Sequence, residues 1–179
     1  QIPIHWPWYY GGAWVDQETG ASLIAEPEAV KGFTLLRDLH WHDGLQPDPR
    51  QVPWDTASFA QGKVAMAIDG SWAMPQYRTA AGTSLDWDIA AIPKGDYAAT
   101  WLSVGGLYFP KGTENVDEAF EFATYMLDET HKYLFAELGD IPARLDVALE
   151  AIEVALDLGM TPRNLEVILN ALPYARSAP

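Results

Sequence analysis

The chain has 179 residues, 49% hydrophobic and 20% charged, and no apolar run approaches the roughly 18 residues of a membrane-spanning helix. Acidic residues outnumber basic ones 25 to 11, and a formal charge of -14 repels phosphate backbones and anionic lipid, so nucleic acid is excluded as an expected partner. With no cysteine, disulfides, thiolate nucleophiles and Cys-type zinc sites fall away together, and both a reducing cytosol and an exported bacterial protein remain open.

The amino end, "QIPIHWPWYYGGAW", lacks the basic stretch and continuous apolar core of a signal peptide. Its prolines predict an extended run over Ile2–Trp8, broken at Gly11-Gly12 and followed by short strands around a turn at "QETG". Pro27 opens a predicted helix over 27–41, with acids in its first turn and Val30, Phe33, Leu36 and Leu39 on one face. The proline-rich stretch "DGLQPDPRQVPWDT" reads as a loop. From Lys63 the text alternates as a strand, with Val64, Met66 and Ile68 on one side, Ala65 and Ala67 on the other, and both faces covered. "PQYRTAAGTS" is compatible with a short helix or a loop, while "DWDIAAIPKG" and "TWLSVGGLYFPKG" each predict a further strand.

Asn115 and Glu118 stand in the capping-box arrangement before a helix whose stripe carries Ala119, Phe122, Ala123 and Met126 and whose helical text stops at Gly139. Helices follow in "GDIPARLDVALEAIEVALDLG" and "TPRNLEVILNAL", the last with Thr161 as cap and Pro162 at its first position. Strands separated by helices predict an α/β fold.

The chemistry-bearing residues give little support to an enzyme. His5, His40, His42 and His131 lack the spacing of a helical zinc site, and neither a phosphate-binding loop nor a nucleophile elbow occurs. His40 and His42, which straddle Trp41, read as a solvated helix end in preference to a metal site. No metal and no cofactor is expected. The eight tryptophans and eight tyrosines suit a large core, a protein interface or a sugar-binding cleft. Three places set aromatic or small residues beside glycine at predicted strand ends: "WPWYYGG", "DGSW" and "SVGG". Glycine there admits a ligand or another backbone, and an indole offers a flat apolar face to the C–H face of a sugar ring. For Trp72 alone, a core plug is the competing reading.

The order "FAQGKVAMAIDGSW" (Phe59 to Trp72), "DWDIAAIPKG", "VGGLYFPKGTENVDEAFEFATYMLD" and "GDIPAR" resembles the extracellular solute-binding proteins of ABC sugar importers, the maltose-binding-protein-like group. The resemblance implies a periplasmic-binding-protein-like (type II) α/β fold of two lobes that close around a carbohydrate. The chain then lacks most of the first lobe and the final C-terminal helices. Residues 1–95 and 144–179 fall in the second lobe, and 96–143 form a return strand and helices of the first.

By the same resemblance Trp72, with Gly70 before it, is the cleft tryptophan that stacks on sugar, and Trp6, Trp8 and Tyr9 fall in an aromatic segment lining that cleft. Gly105 and Gly106 are the glycine pair where the chain returns to the first lobe. Arg144 bonds either the ligand or a nearby acid. The implied function is non-catalytic capture of a mono- or oligosaccharide and its delivery to the membrane permease subunits of an ABC importer. The protein is expected to be periplasmic or extracellular, either free or lipid-anchored through an N-terminus absent here, and monomeric at full length. A glycoside hydrolase sharing the aromatic cleft and a tryptophan-rich interaction module are the alternatives.

Overall fold

The computed structural model describes residues 3–48, 50–52, 56–127 and 131–177, and the chain divides into two compact units. The first draws on residues 1–68, 90–103 and 167–179, the second on 69–89 and 104–166.

In the first unit the expected extended run is replaced, from residue 3 onward, by two 3₁₀ turns, Pro3–His5 and Pro7–Tyr10. A proline begins each one, where its fixed φ suits a helical start and no N–H is needed. Gly11 ends the second turn at φ 82°, donating to the carbonyls of Pro7 and Trp8. The turn at "QETG" is tied by the Asp16 carboxylate, which accepts from the Glu18 and Thr19 amides and the Thr19 hydroxyl. Of the strands expected around it there is a single antiparallel bridge, Val15 to Ser22.

Helix α1 runs over Pro27–Trp41, as the sequence predicts. Of the predicted stripe, Leu36 and Leu39 pack on the core and Phe33 is half-buried against Trp14, but at the N-terminal end Ala29 and Gly32 are buried and Val30 is 46% exposed. The smallest side chains take the inside because backbone is pressed against them. A Cβ on Gly32 would overlap the Trp6 carbonyl and lie 2.8 Å from Pro7 N, and one on Gly12 would come within 2.6 Å of Ala29 N. Gly95 likewise leaves room for the Tyr9 carbonyl. Around these contacts Trp6, Trp8, Tyr9 and Ala99 form a core, with Leu35, Leu36 and Leu39 of α1 packed on it. A short helix α2 covers Thr56–Ala60, and residues 49 and 53–55 of the expected loop lie outside the described residues.

The only sheet among the described residues pairs β1 (Thr100–Leu102) in parallel with β2 (Ala175–Ser177), Trp101 opposite Arg176. The strands expected from Lys63 and over "DWDIAAIPKG" do not form, because a strand exists only through a partner for its N–H and C=O groups and neither stretch has a ladder. Nor is the Lys63 stretch covered on both faces, since Met66 is 85% exposed. Of "TWLSVGGLYFPKG" only the first three residues are strand.

The second unit is helical. The ambiguous "PQYRTAAGTS" is mostly helix, within α3 (Met74–Ala81). α4 covers Val116–Leu127 and α5 His131–Leu138, and α5 stops at Gly139 (φ 73°), whose N–H donates to Phe135. α6 (Leu145–Asp157) lies against α5 and buries Val147, Ala148, Ala151, Ile152 and Ala155, the three-and-four spacing of one helical face. α7 (Glu166–Asn170) starts later than predicted, so Thr161 is not its cap. The Thr161 carbonyl instead accepts from Arg78 Nη1 at 3.2 Å, and Pro162 is fully buried. On α4 the expected stripe is only partly inside: Ala123 is buried and Ala119 and Met126 are half-buried, but Phe122 is 60% exposed, and Phe120 and Tyr125, off the stripe, are exposed as well.

Two outcomes test the first unit. In an open helix site Gly→Ala stabilises by about 1 kcal/mol; at Gly32 the overlap with Trp6 reverses the sign, and Gly32→Ala should cost about 1–3 kcal/mol. Gly112→Ala, in a turn where a Cβ meets nothing within 4 Å, serves as the control for a glycine without close contact in denaturant melts; a stabilised Gly32→Ala protein contradicts the close approach. The second outcome concerns His5, whose pKa burial lowers. Below the ordinary imidazole value of about 6.5 the unfolded chain therefore binds the proton first and stability falls. Between about pH 7.5 and about pH 5.5 the melting temperature should drop more in the wild type than in His5→Phe, and equal drops contradict a buried neutral imidazole.

Candidate functional site

The corner from Asp69 to Trp72 belongs to the second unit. Gly70 has φ -93° and ψ 165°, a conformation open to any residue. Its glycine identity is instead set by space, because a Cβ there would collide with the six-membered ring of the Trp72 indole. The indole thus lies against bare backbone, and Trp72 remains 38% exposed.

Several bonds hold this corner. One oxygen of the Asp69 carboxylate accepts from the Gly70 amide at 2.9 Å, and the other accepts from the Tyr77 hydroxyl of α3 at 3.0 Å. Burial, with the nearby Asp69 charge, pushes the Tyr77 pKa upward, so the hydroxyl keeps its proton and remains the donor. Tyr77 is buried beside Trp87, ring centroids 5.7 Å apart. Trp72 itself sits in the 3₁₀ turn Ser71–Ala73 that leads into α3. With its amide turned to satisfy both ends, Gln76 donates to the carbonyls of Trp72 (2.7 Å) and Ala73 (2.9 Å). Gly139 closes against the Ser71 carbonyl and the Pro75 ring. The result is a half-exposed indole on a braced backbone, suited to stacking with an apolar ring face.

The other predicted residues are placed differently. Trp6, Trp8 and Tyr9 belong to the first unit and are only 3–4% exposed. Their ring faces are spent on packing: His5, Trp6 and Tyr9 form a triangle with centroids 5.4–5.6 Å apart. What this cluster leaves over is polar. His5 Nε2, Trp6 Nε1 and Tyr9 Oη are buried and, among the described residues, have no hydrogen-bond partner, an arrangement that costs about 1–3 kcal/mol for each group.

Gly105 and Gly106 lie on an exposed stretch, and a Cβ on Gly105 would meet nothing within 4 Å. Arg144 precedes α6 and grips Asp146 through Nη2 (2.6 Å) and Nε (3.2 Å), the side-chain pairing that the sequence reading weighed against a ligand contact. That guanidinium holds the Asp146 carboxyl below the usual range. Among the described residues no group of His, Asp and Glu has the arrangement of a metal site, and no helix is long and apolar enough to cross a membrane. Sequence reasoning missed Asp69 and Tyr77. The available signal was an Asp directly before Gly, the usual site of a side-chain-to-backbone turn bond, with a tyrosine on the helix that follows.

Comparison with known proteins places this chain in a family. The profile of the bacterial extracellular solute-binding proteins matches residues 3–132. The chain is 25% identical over 151 residues to a maltotriose-binding protein of Pyrococcus abyssi, covering 77% of this chain and 31% of that protein. It is 22% identical over 145 residues to a maltooligosaccharide ABC transporter solute-binding lipoprotein of Streptococcus pneumoniae, covering 75% of this chain and 34% of that one. The solved ABC substrate-binding protein of Listeria monocytogenes in complex with cycloalternan superposes on 99% of this chain and 45% of its own, with a TM-score of 0.78 at 19% identity. The chain therefore spans about a third of the curated relatives it matches, and its fold is that of the ABC substrate-binding proteins. With the family profile covering well over half of its residues, this chain belongs to the bacterial extracellular solute-binding proteins.

Proposed function

We propose that this chain is part of the carbohydrate-capturing component of an ABC importer, taking an oligosaccharide of the malto series and handing it to membrane permease subunits. The observation that carries the reading is the Trp72 corner: an indole left half exposed, seated on Gly70 and braced through Asp69 and Tyr77. Relatives that bind maltotriose and maltooligosaccharides support the ligand class. Trp72 supplies the stacking face. Trp6, Trp8 and Tyr9 are enclosed in the core of the first unit and hold it together from within. The open backbone at Gly105 and Gly106 offers further amides, and Arg144, already paired with Asp146, joins the closed form.

In this reading the role is non-catalytic. The location is periplasmic or extracellular, with a lipid anchor on the whole protein and a monomeric state. Residues 1–95 and 144–179 belong to the second lobe, and 96–143 to the first. A lobe completed beyond this chain would cover the exposed aromatic residues of α4.

In the full-length protein, Trp72→Ala should weaken maltotriose binding by about 1–3 kcal/mol, by analogy with nucleobases stacked on aromatic side chains. Undiminished affinity by calorimetry removes Trp72 from the site, and chromatographic loss of the sugar during incubation overturns the non-catalytic role. Saturating sugar should also lower the radius of gyration measured by X-ray scattering, because a ligand bridging two lobes favours the closed state by its differential affinity. An unchanged radius contradicts capture by closure.

A further inference from the structure

A second feature lies wholly in the first unit. At the start of α1 there is a groove of about 670 Å³, bordered by Tyr10, Gly11, Glu28, Lys31, Asp96 and Tyr97. Its volume falls within the range of about 300–1,000 Å³ typical of small-molecule pockets. None of these residues belongs to the Trp72 corner.

The groove is built from fixed parts. Gly11 terminates the Pro7–Tyr10 turn with a left-handed φ, and the Tyr97 ring reaches to 3.1 Å from where a Cβ would stand. Any other residue there would be strained and would push against that ring. The loop carrying Asp96 and Tyr97 is anchored on both sides of its bend: Gly95 packs on the Tyr9 carbonyl, and the Tyr97 amide donates to the same oxygen at 3.0 Å. Lys31 reaches from α1 to Asp96 Oδ2 at 2.8 Å and lies 4.1 Å from the centre of the Tyr10 ring. An ion pair this exposed adds little to stability, typically under about 1 kcal/mol. It sets an ammonium and a carboxylate side by side at the groove, while Tyr97 is left 55% exposed.

The charges decide the ligand class. Two carboxylates, Glu28 and Asp96, face one ammonium, and that ammonium is already matched. Anions are therefore disfavoured. A neutral ring rich in hydroxyls fits: hydroxyls donate to Glu28 and Asp96 and accept from Lys31, while the apolar C–H face of the ring rests on Tyr97.

We propose that the groove between Tyr10 and Tyr97 is a second, weaker site for a neutral saccharide, separate from the Trp72 site. The inference rests on the carbohydrate reading above. The test uses the full-length protein with ring-labelled tyrosine, titrated with maltotriose and followed by NMR alongside calorimetry. The Tyr97 ring signal should shift in a step at least ten-fold weaker than the calorimetric one, and persist in Trp72→Ala. Tyr97→Ala and Asp96→Asn should each weaken the second step several-fold or more and leave the Trp72-dependent step unchanged.

If the Trp72-dependent step is present but the Tyr97 signal stays fixed up to saturation, the groove is not a saccharide site while the importer reading stands. A groove that takes glucose 6-phosphate more tightly than maltotriose contradicts a neutral ligand. A protein that binds maltotriose at neither place overturns both readings.

Discussion

The backbone of Trp6 and Pro7 lies against α1 at Gly32, the one position of that helix without a side chain. The placement of the aromatic segment in the first unit follows from that approach. It fixes the two 3₁₀ turns, which carry Trp6, Trp8 and Tyr9 into the core, and Gly95 repeats the device by admitting the Tyr9 carbonyl. Backbone packed on backbone leaves no side chain to adjust, so the geometry tolerates little change in volume. The same logic recurs in the second unit, where Gly70 yields its space to the Trp72 indole and Gly139 to the Ser71 carbonyl.

This use of glycine alters what the aromatic residues mean. An aromatic beside glycine reads equally as a ligand surface or as a core plug, and the chain contains both. Trp6, Trp8 and Tyr9 are enclosed by one another and by α1, whereas Trp72 has one side on Gly70 and remains accessible. The difference lies in what faces each ring. Trp6 and its neighbours meet a helix with leucines at 35, 36 and 39, while Trp72 stands in the turn that begins a short helix.

The sequence was most legible where local chemistry decides structure. Pro27 and the spacing after it set α1 to its observed ends, Gly139 stops α5, and Gly11 breaks the aromatic segment. It was least legible for strands. The alternation after Lys63 is strand-like text, but a ladder needs a partner whose identity is not local, and among the described residues only Thr100–Leu102 finds one, in Ala175–Ser177. At the start of α1 the inner face differs from the predicted one for a related reason: periodicity rewards large apolar residues, so it selects Val30, whereas close backbone contact selects Ala29 and Gly32. At the candidate site Trp72 and Gly70 were found together. Asp69 and Tyr77 were not, because their bond depends on how α3 turns back on the corner.

The central claim is that the exposed side of the Trp72 indole meets the C–H face of a sugar. The most direct measurement is the nuclear Overhauser effect between indole ring protons of Trp72 and carbon-bound protons of maltotriose in the full-length protein at saturation. The account predicts cross-peaks from the six-membered ring of the indole to protons on one face of a glucosyl unit. Saturable sugar binding with no such cross-peaks at Trp72 would contradict it.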